Sequence, residues 1–214
     1  MTRRSVEAII QALDTAQVRY LVVGGVAAVA HGYVRFFADL DLTFDPPSLE
    51  AGLRVFAELG YCRQADGQDL APDAPTAFHS ALHFETQVSL HPPPGDFTAA
   101  WDAALSVEIL GSVTARVIDR ARLNGMLSAS SRLIDRNDIA MLEEVSLEVD
   151  GANDDWPVGF DGHARAQRRR MARMTFAEKL EWLESAHELV RQIAGKASGG
   201  ASVVRDLNRT PADE

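Results

Sequence analysis

The chain has 214 residues, of which 46% are hydrophobic and 24% charged, a composition typical of an ordinary globular protein with one good-sized domain. Its only cysteine, Cys62, excludes an internal disulfide and a cysteine-rich zinc site, and its longest apolar run, residues 20–30, is too short to span a membrane. With one cysteine, a reducing cytoplasm is the expected location. The formal net charge of −10 arises within residues 1–150, which disfavours sequence-blind binding to nucleic acid.

Helix-like and strand-like patterns alternate through residues 1–150, which predicts an α/β domain with a mixed sheet flanked by helices. Residues 5–16 carry apolar side chains at helical spacing, and residues 18–23 form a β-branched apolar run that ends at a Gly-Gly turn. Residues 38–44 and 82–91 alternate between apolar and polar side chains, as half-buried strands do. Further helices are predicted at 26–31, 48–59, 97–105, 120–128 and 132–145, and a β-hairpin at 107–118.

The chain after residue 150 predicts a helical appendage at 151–195 followed by a disordered tail at 196–214. Thr175 and Glu178 have the spacing of a capping box at the start of a helix that we expect to end at Gly195. An arginine-rich stretch just before this helix is interpreted as a solvated face in preference to a phosphate or RNA contact.

The candidate chemistry lies in three features: Gly24-Gly25, Arg35, and the pair Asp39-x-Asp41. Aspartate is a poor strand former, and two of them at i and i+2 place both carboxylates on one face of an apolar strand. Such carboxylates repel each other unless a cation lies between them, and hard oxygen ligands suit Mg²⁺ or Mn²⁺. The glycine turn and the helix after it can bind an anion, so the pattern predicts a site for metal-bound triphosphate and phosphoryl or nucleotidyl transfer. The alternative is a solvated strand face beside an ordinary turn.

The segment YLVVGGVAAVAHGYVRFFADLDLTFD, residues 20–45, resembles the core of the polymerase-β-type nucleotidyltransferase fold. More narrowly, it is similar to the small abortive-infection and toxin–antitoxin nucleotidyltransferases. A second segment, residues 130–144, resembles the family's Arg-x-Lys-Asp-x-x-Asp helix through Arg132, Asp135 and Asp138. The resemblance makes residues 1–150 a nucleotidyltransferase-like domain.

The resemblance implies roles for individual residues. Asp39 and Asp41 would hold Mg²⁺ or Mn²⁺ and act in catalysis, and the nucleotide-binding residues would be Gly24, Gly25, Arg35 and Arg132. The implied reaction moves NMP from an NTP to an RNA or protein acceptor. The protein would then be the toxin of a toxin–antitoxin system with an antitoxin-like partner.

Two departures from the family pattern favour a second hypothesis. The third acid of the family is Ser89 here, and Glu85, four residues back on the same strand face, is the candidate catalytic substitute. Residues 1–150 also contain no lysine. A catalytically degenerate nucleotide-binding or regulatory protein is therefore the alternative to an enzyme, and an oligomeric role for the C-terminal helix is a third possibility.

Three histidines are further candidate site residues. His83 and His91 share the strand face of Glu85 but stand too far apart along the strand to bind one ion, which favours a polar or ligand-facing strand over a histidine metal site. His31 is interpreted as structural, with its ring bonded to a backbone carbonyl.

Overall fold

Seven strands of the described residues form one mixed sheet in a computed structural model of the protein. The structure describes residues 3–37, 39–63, 75–80, 86–110, 113–130, 132–149 and 160–207. In chain order the strands are β1 (Tyr20–Val22), β2 (Asp39–Phe44), β3 (Tyr61–Arg63), β4 (Thr76–Ser80), β5 (Gln87–His91), β6 (Leu105–Leu110) and β7 (Val113–Val117).

The strand order across the sheet is β3-β4-β5-β2-β1-β7-β6. At its centre, β2 runs antiparallel to β1 and parallel to β5, and β1 runs parallel to β7. The outer neighbours pair antiparallel. The sheet is therefore mixed, and the strand that carries Asp39 and Asp41 adjoins β1, the strand that the Gly-Gly turn follows.

Eight α-helices of the described chain accompany the sheet, and the predicted α/β class with flanking and C-terminal helices is confirmed. They are α1 (Arg3–Thr15), α2 (Gly24–Ala30), α3 (Leu49–Glu58), α4 (Phe97–Asp102), α5 (Arg120–Ala129), α6 (Leu133–Val149), α7 (Phe160–Arg173) and α8 (Phe176–Leu207). None of the helices in these ranges combines the length and apolarity that crossing a bilayer requires.

The core forms where the apolar faces of helices cover the sheet. The predicted inward residues of α1 have no exposed surface: Val6, Ile9, Ile10 and Leu13. Along β2, Leu40 and Leu42 are fully buried, whereas Asp39 and Asp41, which alternate with them, are half-buried. This alternation places both carboxylates on one face of the strand and the leucines on the other.

The C-terminal helix α8 packs on this same core. Its side chains Phe176, Leu180 and Leu183 belong to the buried apolar cluster. The predicted capping box forms: Glu178 Oε2 accepts from the Thr175 N–H at 2.7 Å, and Thr175 Oγ1 accepts from the Glu178 N–H at 3.2 Å.

The expected end of α8 at Gly195 is wrong, because the helix continues to Leu207. Glycine inside a helix costs only about 1 kcal/mol relative to alanine, so a helix that has already formed can pass through it. The division of the chain at residues 150 and 195 stays a prediction, and residues 208–214 lie outside the described range.

Gly52 of α3 offers a test of the packing between helix and sheet. A Cβ at Gly52 would overlap the ring of Phe44, with Cδ2 only 2.7 Å away, whereas a Cβ at Gly125 of α5 meets nothing within 4 Å. Gly52→Ala should lower the free energy of unfolding by about 1–3 kcal/mol through overpacking. The matched Gly125→Ala should raise it by up to about 1 kcal/mol through helix propensity. Urea unfolding measures both, and a stabilising Gly52→Ala would contradict the packing described.

Candidate functional site

Asp39 and Asp41 project from the face of β2 that continues onto β5. The two strands are parallel, and their register sets Asp39 opposite Gln87 and Asp41 opposite Ser89. Paired residues of neighbouring strands point to the same face. Ser89, where the resemblance leads us to expect a third acid, therefore lies beside both aspartates.

The Gly24-Gly25 turn lies directly against Asp41. Gly24 has a φ of 58°, in the left-handed region, and a Cβ there would overlap the Asp41 carboxylate. The Gly25 N–H donates to Asp41 Oδ2 at 3.3 Å. A Cβ on Gly25 would come within 3.1 Å of Arg35 Nη2. Each glycine therefore allows one close approach, the first of an acid and the second of an arginine.

Each carboxylate has a neighbour on β5. Ser89 Oγ donates to Asp39 Oδ2 at 3.2 Å, and His91 Nε2 lies 2.7 Å from Asp41 Oδ1. Burial raises the pKa of Asp39, and the negative charge of Asp41 raises it further against the opposing effect of the Ser89 hydrogen bond. The site therefore concentrates negative charge in a partly desolvated setting, which favours a cation.

His91 is a site residue that sequence reasoning missed. The strand pattern placed it on the polar face, but its contact with Asp41 depends on the parallel register of β2 and β5, which spacing along one strand does not reveal. Glu85, the expected substitute for the third acid, and His83 lie outside the described residues. His31 has the predicted structural role, since its Nε2 lies 2.8 Å from the carbonyl oxygen of Ile118.

Arg132 supplies positive charge to the site from the start of α6. Its Nε and Nη2 donate to the two carboxylate oxygens of Asp135 at 2.8 and 2.9 Å. The pKa of Arg132 is raised, mainly by Asp135 and further by the charges of Asp41 and Asp39. Burial would raise the pKa of Asp135, but its hydrogen bonds from Arg132 and Ser130 outweigh burial and lower it. Asp135 thus holds an arginine whose positive charge interacts with Asp39 and Asp41.

Arg35 has a different partner on the same helix. Its Nη2 lies 2.8 Å from Oδ2 of Asp138, a side chain with no exposed surface. Burial raises the pKa of Asp138 against the opposing charge of Arg35. The segment of residues 130–144 therefore contacts the segment of residues 20–45 through this ion pair.

A cavity of about 530 Å³ opens beside these residues. Gly24, His91, Arg132 and Asp135 form its polar part, and its other walls are mostly apolar. The remaining lining residues come from residues 75–94 and from the end of α5 and the turn after it: Pro75, Pro92, Pro93, Pro94, Leu123, Met126, Leu127, Ala129 and Ser130. The cavity is large enough for a small molecule or for one part of a nucleotide.

Asp39 and Asp41 suit a divalent ion whose remaining ligands are supplied by water or phosphate. In the described parts of the chain, no three His, Cys, Asp or Glu side chains come close enough together to hold a metal. Mg²⁺ is commonly bound by one or two carboxylates together with substrate phosphates, so two aspartates are a sufficient protein contribution. The placement of both carboxylates on one face of β2 supports this fit, and burial together with the charge of Asp41 raises the pKa of Asp39.

No family model matches the chain, and no curated protein matches its sequence. It is similar to the solution structure of the antibiotic-resistance factor ANT(2'')-Ia, at 16% identity and a TM-score of 0.44 over 93% of this chain and 97% of that one. The lincomycin-bound lincosamide antibiotic adenylyltransferase LnuA matches at 16% identity and a TM-score of 0.45, over 67% of this chain and 97% of its own. An antigenic nucleotidyltransferase-like protein from Paracoccidioides brasiliensis matches at 15% identity and a TM-score of 0.44, over 84% of this chain and 91% of its own.

Ser89 provides a direct test of the charge balance. Ser89→Asp would add a third carboxylate beside Asp39 and Asp41, which in EDTA should lower the free energy of unfolding by on the order of 3 kcal/mol. Millimolar Mg²⁺ should recover most of that loss, because the third carboxylate both gains a counter-charge and strengthens cation binding. The control Ser89→Asn has the same shape without the charge and should respond to Mg²⁺ no more than the wild type. Equal Mg²⁺ responses of the two variants in thermal unfolding would mean that no cation binds there.

Proposed function

We propose that the protein is a metal-dependent nucleotidyltransferase that moves NMP from an NTP to a hydroxyl group of an RNA or protein acceptor. One observation carries this proposal: the carboxylate pair on β2 meets the glycine turn, with Asp41 Oδ2 3.3 Å from the Gly25 N–H. A group that suits a cation and a group that suits a phosphate are therefore joined by a single hydrogen bond.

Different residues would bind different parts of the metal-bound triphosphate. Asp39 and Asp41 would hold Mg²⁺ or Mn²⁺, which when bound neutralises phosphate charge. The N–H groups of Gly24 and Gly25 would donate to phosphate oxygens, and Arg132 would add positive charge from the cavity side. The electrostatic influence of both aspartates on Arg132 supports this assignment.

The reaction is an in-line displacement at the α-phosphorus. The acceptor hydroxyl oxygen forms a bond to that phosphorus, the bond to the bridging oxygen between the α- and β-phosphates breaks, and pyrophosphate leaves. The hydroxyl proton is released to solvent. The cavity beside Gly24 and His91 offers space next to the phosphates for the nucleoside or the acceptor. The toxin role, with an antitoxin-like partner, belongs to this proposal through the sequence resemblance alone.

A second candidate function is nucleotide binding without transfer, as in a degenerate regulatory protein. One observation favours it: Ser89 and His91 occupy the neighbourhood of both carboxylates, at 3.2 Å from Asp39 Oδ2 and 2.7 Å from Asp41 Oδ1. The aspartates therefore have protein partners without a metal. Binding a cation would have to displace or rearrange the His91 contact.

Transfer of an α-phosphate label separates the two functions. Incubation with NTP labelled at the α- or the γ-phosphate, with Mg²⁺ or Mn²⁺ and with RNA or cell lysate, should label an acceptor from the α-position alone. Asp39→Ala with Asp41→Ala should reduce labelling by at least about 100-fold, because direct ligands matter more than their supporting residues. Asp45→Asn is the control, since Asp45 pairs with Arg19 at the far end of β2. Glu85→Gln should lose activity if Glu85 replaces the third acid, and full activity would remove it from the mechanism.

Nucleotide binding without any acceptor labelling, in the same preparation, would favour the regulatory function. Labelling from the γ-phosphate would contradict nucleotidyl transfer.

A further inference from the structure

A buried ion pair joins the loop before β2 to α6, behind the Gly24-Gly25 turn. Arg35 Nη2 lies 2.8 Å from Asp138 Oδ2, and the two side chains are 16% and 0% exposed. Burying two charges is costly, and replacing such a pair with apolar side chains is often neutral or stabilising. Stability therefore gives little reason for this pair, and a role in the site gives a better one.

The ion pair fixes the arginine against the turn. A Cβ on Gly25 would lie 3.1 Å from Arg35 Nη2 and 3.3 Å from Cζ, so the guanidinium packs onto the glycine backbone. Arg35 Nη1 donates to the carbonyl oxygen of Phe36 at 3.0 Å. The guanidinium is thus held by a carboxylate on one side and by backbone on the other.

Helix α6 carries an acidic partner for each of the two arginines. Asp135 binds Arg132 with two hydrogen bonds, and Asp138, one turn later, binds Arg35. Both aspartates are buried, with 1% and 0% of their surface exposed. Two buried carboxylates at i and i+3 of α6 therefore each pair with one arginine.

We propose that Asp138 is a positioning residue that holds the Arg35 guanidinium beside Gly25, where its charge acts on the β- and γ-phosphates of an NTP. The proposal rests on the proposed function, because it takes the glycine turn as the phosphate site. Asp138 touches no substrate and acts only through Arg35. The rigid fork of arginine suits this task, since a fixed guanidinium loses little entropy when a phosphate arrives.

Affinities for NTP and NMP, measured with Mg²⁺ and without an acceptor, test the proposal in the full-length protein. Asp138→Asn should weaken binding of ATP, GTP, CTP or UTP by about tenfold, because the guanidinium is no longer held. Binding of the matching NMP should change less than about twofold, since it lacks the β- and γ-phosphates. On an Arg35→Met background, Asp138→Asn should weaken NTP binding no further.

Two further variants distinguish the positioning role from a general loss of structure. Asp138→Glu keeps the ion pair but moves the carboxylate, so it should fold even where Asp138→Asn does not, and it should still lower the ratio of NTP to NMP affinity. Asp45→Asn removes the carboxylate of another ion pair, 2.7 Å from Arg19 Nη1 and 9% exposed, and should leave that ratio unchanged.

One contrary result is that the wild type binds NTP and both Asp138 variants keep its ratio of NTP to NMP affinity. That result would overturn the positioning role and leave the proposed function standing. Equal weakening of NTP and NMP would also overturn it, because that result means a general loss of structure. A wild type that binds no NTP, with or without Mg²⁺, would overturn the proposed function and the positioning role with it.

Discussion

The repulsion between Asp39 and Asp41 is the constraint around which the site is built. The i, i+2 spacing on β2 sets both carboxylates on one face, while Leu40 and Leu42 anchor the strand in the core from the other. The strand cannot relieve the repulsion by turning, because a one-residue shift would bury the acids and expose the leucines. The charge has to be compensated by what surrounds the strand.

Compensation comes from three directions. The Gly25 N–H approaches Asp41 from the turn after β1, Ser89 donates to Asp39 from β5, and Arg132 faces both acids from α6. The guanidinium of the second arginine, Arg35, packs against Gly25 of the turn. Each compensating group is a hydrogen-bond donor or a cation, so the same environment that stabilises two carboxylates also suits the phosphates of a nucleotide once a divalent ion takes over the carboxylates.

The sequence predicts the part of this arrangement that depends on local pattern. Alternation along β2 and the apolar run before Gly24 are enough to predict two neighbouring strands, a turn and a shared carboxylate face. The sequence does not predict β3 and β4, the two outermost strands on one side of the sheet. A three-residue strand such as Tyr61–Arg63 carries no period to detect. The contacts of His91 with Asp41 and of Arg35 with Asp138 depend on strand register and on how a loop meets a helix, which single-sequence spacing does not encode.

The position of a bound cation tests the central claim most directly. A crystal structure with Mn²⁺ and an NTP analogue that cannot be cleaved between its α- and β-phosphates would locate the ion by anomalous scattering. We expect the ion within about 2.0–2.3 Å of carboxylate oxygens of Asp39 and Asp41, with phosphate oxygens completing its shell and the phosphates against Gly24 and Gly25. Mn²⁺ bound elsewhere, with the Asp41 contacts to Gly25 and His91 intact and the nucleotide away from the turn, would contradict the claim.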